Sequence, residues 1–445
     1  MKTFFLILIL SAACLNVRAS DVLRLNIEQA VDLALNENRI VRVADMEIQR
    51  VDYSQRSAWH NLLPSLEASG NFGKFLVPGE MSMMGIVMEL PDNFNFAAGV
   101  NLSLPLFVPA LWHTIQMTRL DMQMAVERAN ASKITLRNEV TKAFYGVLLA
   151  KDSYEILLNG LALAQDVHRQ TINHYELGLV TEFDVISAQV QIKNLLPSIM
   201  EVQNGIEQAK MFLKVLMGVD IRQPIAVEGS LADYGIIISN RNSERRLSLD
   251  GNTELRQLDI QQQQLQRALS LQRTQRMPTL AAFGNYGYSA LGLRAMEIDF
   301  GGMPFPVEAG TDWFSQGLMV GLQLNIPLSG LLTNVPKERQ TQIQINQLAE
   351  QRTYMEEMLN MQVVTALNNM DRAAQQAEVA RQNKNLVQRG YDIALTRHEK
   401  GIGIMLEVQN ASNQLMQAQL SFNQAIVSYL NTKADLKKLL GNINL

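Results

Sequence analysis

The sequence predicts a mixed α and β fold: a transmembrane β-barrel to which each chain gives four strands, continuous with a long α-helical barrel, and two structural repeats per chain. Three observations predict it. Residues 174–218 match residues 397–441 without a gap, with eleven identities over 45 positions where chance supplies roughly three. A second block pairs 38–73 with 252–287 and shares Asn38/Asn252, Pro64/Pro278 and Gly73/Gly287. Two long stretches carry no proline, and two segments alternate apolar and polar residues over a membrane's depth.

Residues 1–19 read as a signal peptide: Lys2, an apolar run from Phe4 to Leu10, and small residues at Val17-Arg18-Ala19. Cleavage after Ala19 removes Lys2, Arg18 and the single cysteine, Cys14, taking the formal net charge from −4 to −6. The other reading is acylation at Cys14, against which Ser11 stands where a lipoprotein site wants Leu. Beyond residue 19 no apolar run reaches the length of a transmembrane helix.

The first repeat spans 20–218: a helix, strands at about 66–76 and 94–107, and long helices over 110–174 and 181–217. An insert follows at 219–250. The second repeat spans 251–445, with strands at about 279–289 and 314–328 and helices over 332–398 and 404–440. A proline inside a helix removes a hydrogen bond, so proline-free runs delimit the helices. At 1.5 Å per residue the first run reaches on the order of 100 Å, too long for an ordinary globular domain. Val408, Ala411, Leu415, Ala418, Phe422, Ala425 and Tyr429 step by three and four, as do Val185, Ala188, Ile192, Leu195, Ile199 and Val202. A strict seven-residue period imposes a left-handed supercoil, in a helical tube or a dimeric coiled coil.

The strands separate those two. Phe94, Phe96, Ala98, Val100, Leu102 and Leu104 alternate with Asn95, Ala97, Gly99, Asn101 and Ser103, and Leu318, Val320, Leu322 and Leu324 alternate with Met319, Gly321, Gln323 and Asn325. Such segments mark a transmembrane barrel, and a soluble sandwich is the alternative. Four strands do not close a barrel and lipid tolerates no open edge, so several chains pool their strands. The joining segments, 77–93 and 290–312, are acidic as outward loops are.

Chemistry is sparse. A weakly acidic chain lacks the basic face that nucleic acid requires. No nucleophile elbow, phosphate loop or two-histidine metal motif is present, and Asp299-Phe300-Gly301 lacks every companion of a kinase site, so no catalytic residue, cofactor or metal is expected. The closest histidines in sequence, His168 and His174, sit six apart on different helix faces. Met81, Met83, Met84 and Met88 read either as a soft Cu(I) site or as apolar filler.

The export signal, the duplicated helix, strand, strand, helix order, the strand ends at Leu104-Pro105-Leu106-Phe107 and Ile326-Pro327-Leu328-Ser329, and the elements from Gly178 to Val185 and Gly401 to Val408 together resemble the TolC-like outer-membrane efflux proteins. These are the outer-membrane factors of tripartite export systems. The resemblance covers almost all of the mature chain. It implies a homotrimer with a twelve-stranded barrel in outer-membrane lipid and a twelve-helix tube across the periplasm, where residues 219–250 form an equatorial insert. It further implies a periplasmic membrane-fusion (adaptor) protein and an inner-membrane RND or ABC-type pump as partners, and drugs, toxic compounds or secreted proteins as cargo. Two rival readings are a periplasmic coiled-coil structural or adaptor protein and a soluble enzyme housed in the long loops.

The helix-to-helix turns carry the site expectations. Gly178, Leu179, Val180 and Thr181, with Gly401, Ile402, Gly403 and Ile404, form two tips whose apolar groups either dock the adaptor or pack on one another. Asp184 and Glu407 occupy equivalent repeat positions. The resemblance implies an acidic periplasmic gate there, with Asn410 and His398 beside it. The sequence departs from the family pattern in Glu407 for Asp, Asn410 for an acid, Gly403 for a latch Arg and His398 for a Tyr. Carboxylates held close repel, which raises their pKa values and favours cations; acids near a helix start also serve as caps. Mass spectrometry of the mature protein is expected to find an unmodified N-terminal Ser20, and an acylated Cys14 would contradict the cleavage site.

Overall fold

The computed structural model describes residues 22–74, 76, 80–83, 86–89, 92–235, 248–293, 296–299, 304–308, 310–328, 334–400 and 402–441. The signal segment with Cys14, Met84, most of the second half of the insert and Gly401 lie outside the described residues. In chain order the first elements are β1 (Leu23–Leu25), α1 (Ile27–Glu37), α2 (Arg39–His60), β2 (Ser65–Lys74), β3 (Glu80–Met83), β4 (Ile86–Glu89), β5 (Asp92–Phe107), α3 (Pro109–Glu176) and α4 (Glu182–Met217). Then come β6 (Ile225–Val227), the single turn α5 (Ala232–Gly235), α6 (Thr253–Thr274), β7 (Thr279–Leu293), β8 (Met296–Asp299), β9 (Pro304–Val307), β10 (Gly310–Asn325), α7 (Val335–Glu399) and α8 (Met405–Leu439).

The chain divides into two compact units. The one formed by Ile48–Ala125 and Leu258–Glu350 holds an antiparallel sheet in the order β10, β7, β5, β2. Its register follows the side-chain alternation. One row aligns Leu66, Leu102, Gly284 and Val320 and another Ala68, Val100, Tyr286 and Leu318, so most apolar residues of the four strands share one face, while Phe283, Phe314 and Met319 fall on the other. Glu67, Asn101 and Asn285 align on the other face. Val320 and Leu322 are exposed, so within one chain the apolar face is uncovered.

Strict alternation would put Trp313 and Leu318, five residues apart, on opposite faces. A bulge between Ser315 and Gly317 resets the phase, so that Trp313 opposite Ala290 joins the apolar face, its ring 5.9 Å from that of Phe96. The bulge uses Gly317 at φ 70°, a left-handed conformation that glycine adopts without Cβ strain.

Three strands run further at their loop-side ends than the alternation predicted, while β2 stops at Lys74 and β10 at Asn325, short of 76 and 328. β7 and β10 pair as far as Leu293 opposite Gly310, and β5 reaches Asp92. The second presumed loop therefore begins later, and each loop contains a short hairpin of its own, β3 with β4 and β8 with β9. Pairing continues because the backbone is satisfied strand to strand whatever the side chains do.

The unit formed by Met1–Glu47, Val126–Gln257 and Gln351–Leu445 is helical around a core that includes the fully buried Phe144, Leu148, Leu213, Met217, Leu231 and Ile426. The heptad positions Val408, Leu415, Ala418, Phe422 and Tyr429 of α8 are buried. At the later turns Ile426 and Val427 are buried too, so the apolar face is broader than a two-position seam. Pro197 lies inside α4 without ending it, with Leu195 and Ile199 on either side packed against Leu157.

The described part of the insert is bound to this core. β6 pairs in parallel with β1. The buried Asp152 carboxylate of α3 accepts the Leu231 N–H at 2.8 Å and the Ser230 hydroxyl at 3.0 Å. Tyr234 packs edge-on against Tyr145 with centroids 5.4 Å apart, and burial, reinforced by Tyr234, pushes the Tyr145 hydroxyl pKa up to about 12. Two buried asparagines play matching parts. Asn38 donates to the Leu216 carbonyl at 2.7 Å and accepts the Ile40 N–H, and Asn252 donates to the Leu439 carbonyl at 2.8 Å and accepts the Glu254 N–H. Each side chain caps the start of one helix while satisfying the end of another.

A charged residue at Val100 or Leu322 is expected to cost about 2 to 4 kcal/mol if those positions lie at a bilayer midplane, whereas Asn101 and Gln323 should accept the same change at little cost. Unfolding titrations in lipid check this, and equal losses on both faces would contradict the assigned phase.

Candidate functional site

The two tips share one helix-ending bond, from an N–H to the carbonyl five residues earlier, and start their helices differently. At the first, the Leu179 N–H donates to the His174 carbonyl at 2.8 Å and the Gly178 N–H to the Tyr175 carbonyl at 2.9 Å. With Gly178 at φ 71° this is a Schellman closure of α3, which consumes carbonyls that the helix end leaves unpaired. At the second, the Ile402 and Gly403 N–H groups both donate to the Arg397 carbonyl, at 2.9 and 3.1 Å. Gly403 is confined there: a Cβ would stand 3.1 Å from the Arg397 Cβ and 3.2 Å from the His398 nitrogen. Any side chain at this position would require its neighbours to give by a few tenths of an ångström.

The start of α4 is capped by Asp184. Its Oδ2 accepts the Thr181 N–H at 2.8 Å and the Thr181 hydroxyl at 2.7 Å. These bonds favour the charged form, and the Asp184 pKa is lowered, first by the hydroxyl and then by the backbone N–H. Within one chain the carboxyl therefore moves opposite to the rise expected from repulsion, and the capping reading describes its local role. Glu407 differs because Ile404 supplies no hydroxyl at the start of α8. Its carboxylate instead lies 4.0 Å from the Arg397 guanidinium, both groups largely exposed.

The remaining predicted residues divide by exposure. Leu179, Ile402, Ile404 and Asn410 are exposed, while Val180 is half-buried. Sequence reading missed Leu177, Phe183 and Leu406, which extend the apolar surface of the tips; Phe183 is 75% exposed. It also missed a histidine pair, since His174 and His398 come from different repeats and lie with ring centroids 5.7 Å apart and planes tilted by 48°. The Thr181-x-x-Asp184 spacing was the available signal for the cap, a variant of the capping box.

A strand unit with one apolar face, helices of 68 and 65 residues, and tight interhelical turns define a class of membrane channel. The chain belongs to the outer membrane efflux protein family, which it matches over residues 30–219 and 245–442. It is an outer-membrane protein. It is 22% identical to the outer membrane protein TolC of Vibrio cholerae over 362 residues, covering 78% of this chain and 77% of that one. It is 23% identical to the probable efflux pump outer membrane protein TtgC of Pseudomonas putida, over 93% of this chain and 82% of that one. Its fold is similar to the CmeC outer membrane channel of Campylobacter jejuni, with a TM-score of 0.69 at 16% identity, covering 93% of this chain and 85% of that one.

Weakening the cap with Thr181→Ala, which removes the hydroxyl bond and keeps the backbone one, is expected to show as faster hydrogen exchange at the start of α4. Because the folded Asp184 carboxyl titrates below its unfolded value of about 3.9, its contribution is fully present above that pH and fades as pH falls through the lower folded value. Exchange at the first tip should thus be insensitive to pH near neutrality and accelerate only in stronger acid.

Proposed function

We propose that three copies of this chain close a twelve-stranded barrel in the outer membrane and a helical tube in the periplasm, through which cargo delivered by an inner-membrane pump leaves the cell. The single observation that carries this reading is the sheet. Most of its apolar residues line up on one face, and its outer strands β2 and β10 pair with no further strand among the described residues. Each unpaired backbone group left in hydrocarbon costs several kcal/mol, so such a sheet needs neighbours to supply the missing partners.

The aromatic residues support the same reading. Trp59 and Trp112 meet edge to face at 6.0 Å, one near the end of α2 and the other near the start of α3. Trp313 lies toward the far end of β10. Between Leu280 and Ala290 a strand rises roughly 33 Å, which at a tilt of about 40° spans the 25 Å of a typical apolar band. Tryptophans at both margins are the interfacial girdles that a membrane barrel carries.

The tips, Gly178 to Thr181 and 401–404, form the adaptor-docking surface in this proposal, and Asp184 and Glu407 form an acidic constriction with three copies of each. Exposed Leu177, Leu179, Phe183, Ile402 and Ile404 support docking. Photocrosslinkers at Leu179 and Ile402 are expected to capture a periplasmic adaptor in cells, and capture of neighbouring copies alone would overturn the docking assignment. In single-channel recordings the Asp184→Ala, Glu407→Ala double variant should lose cation selectivity and block by trivalent cations. Unchanged selectivity together with a destabilised tip would reduce both residues to structural roles.

A further inference from the structure

We propose that His174 and His398 form a two-histidine site for a divalent transition-metal ion of the Zn²⁺ type, where the last turn of α3 meets the last turn of α7. The ring centroids are 5.7 Å apart and the planes inclined by 48°. A tetrahedral ion about 2.0 to 2.1 Å from one nitrogen of each ring sets the centroids roughly 5 to 6 Å apart, so the rings already stand at the spacing a shared ion requires.

The protonation pattern fits as well. His398 is 7% exposed, and its Nδ1 lies 3.2 Å from the Gly403 carbonyl oxygen. A carbonyl only accepts, so this contact places the proton on Nδ1 and leaves a lone pair on Nε2. That Nε2 is buried and has no hydrogen-bond partner among the described residues. A ring held through one nitrogen by a backbone carbonyl, with the other nitrogen presented bare, is the arrangement that metal-ligating histidines adopt. Gly403 is then a positioning residue, since its close packing sets the carbonyl that orients the ring.

The donor set also defines which ions fit. Two imidazoles suit Zn²⁺, Cu²⁺, Ni²⁺ and Co²⁺ and discriminate against Mg²⁺ and Ca²⁺, which demand oxygen ligands. Among the described residues no cluster of three His, Cys, Asp or Glu side chains is present, so water fills the other positions. The result is an exchangeable site rather than a closed structural one. It is independent of the acidic constriction, which would hold cations through carboxylates alone.

The test uses the full-length protein in detergent, titrated with Zn²⁺ by calorimetry and with Co²⁺ by its visible absorption. One ion per chain is expected, with micromolar affinity. His174→Ala should weaken binding by at least about tenfold. His398→Asn keeps a donor for the Gly403 carbonyl but removes the bare nitrogen, and should do the same; if it fails to fold, His174→Ala carries the test alone. The Asp184→Asn, Glu407→Gln double variant and an excess of Mg²⁺ should leave binding unchanged. No uptake up to about 1 mM, uptake that survives the loss of His174, or uptake abolished by the carboxylate variant would overturn the proposal.

Discussion

The requirement that every backbone N–H and C=O find a partner away from water governs this molecule. Inside the sheet every residue of β7 from Leu280 to Leu293 has a partner on β10, with Gln316 of β10 left unpaired at the bulge before Gly317. At helix ends it is met locally, by Gly178 closing α3, Asp184 opening α4, and the paired asparagines Asn38 and Asn252. At β2 and β10 one chain alone does not meet it. The assembly proposed here extends the same demand beyond the chain.

Much of this was legible in the sequence because it rests on period. The alternation in 94–106 and 318–328 and the three-four stepping from Val408 gave the strands, their phase and the buried face of α8, since period alone decides which side chains share a surface. Features that depend on one conformation escaped. Nothing in Ser315-Gln316-Gly317 announces a bulge, and strict alternation would have put Trp313 on the wrong face. The helix expected over 181–217 already contains Pro197, and buried neighbours on both sides carry α4 through it.

At the tips the residues were legible and their roles were not. Equivalent positions in a repeat suggest equivalent work, but Asp184 and Glu407 do different things because Thr181 faces one and Ile404 the other. The hydroxyl makes a cap; without it the carboxylate turns toward Arg397. His174 and His398 were unreadable as a pair because a side-chain pairing between the two repeats leaves no spacing in the sequence. Only the fold brings them together.

The bulge at Gly317 has a consequence for how β10 tolerates change. A strand of uninterrupted alternation is a single frame: one residue gained or lost anywhere inverts every side chain beyond it. With the alternation reset at Gln316, β10 becomes two frames joined at a hinge of one residue. An odd-length insertion between Trp313 and the bulge can be absorbed there by gaining or losing the unpaired residue. The stretch from Leu318 to Asn325 then keeps its facing, and the loop-side end is free to drift in length.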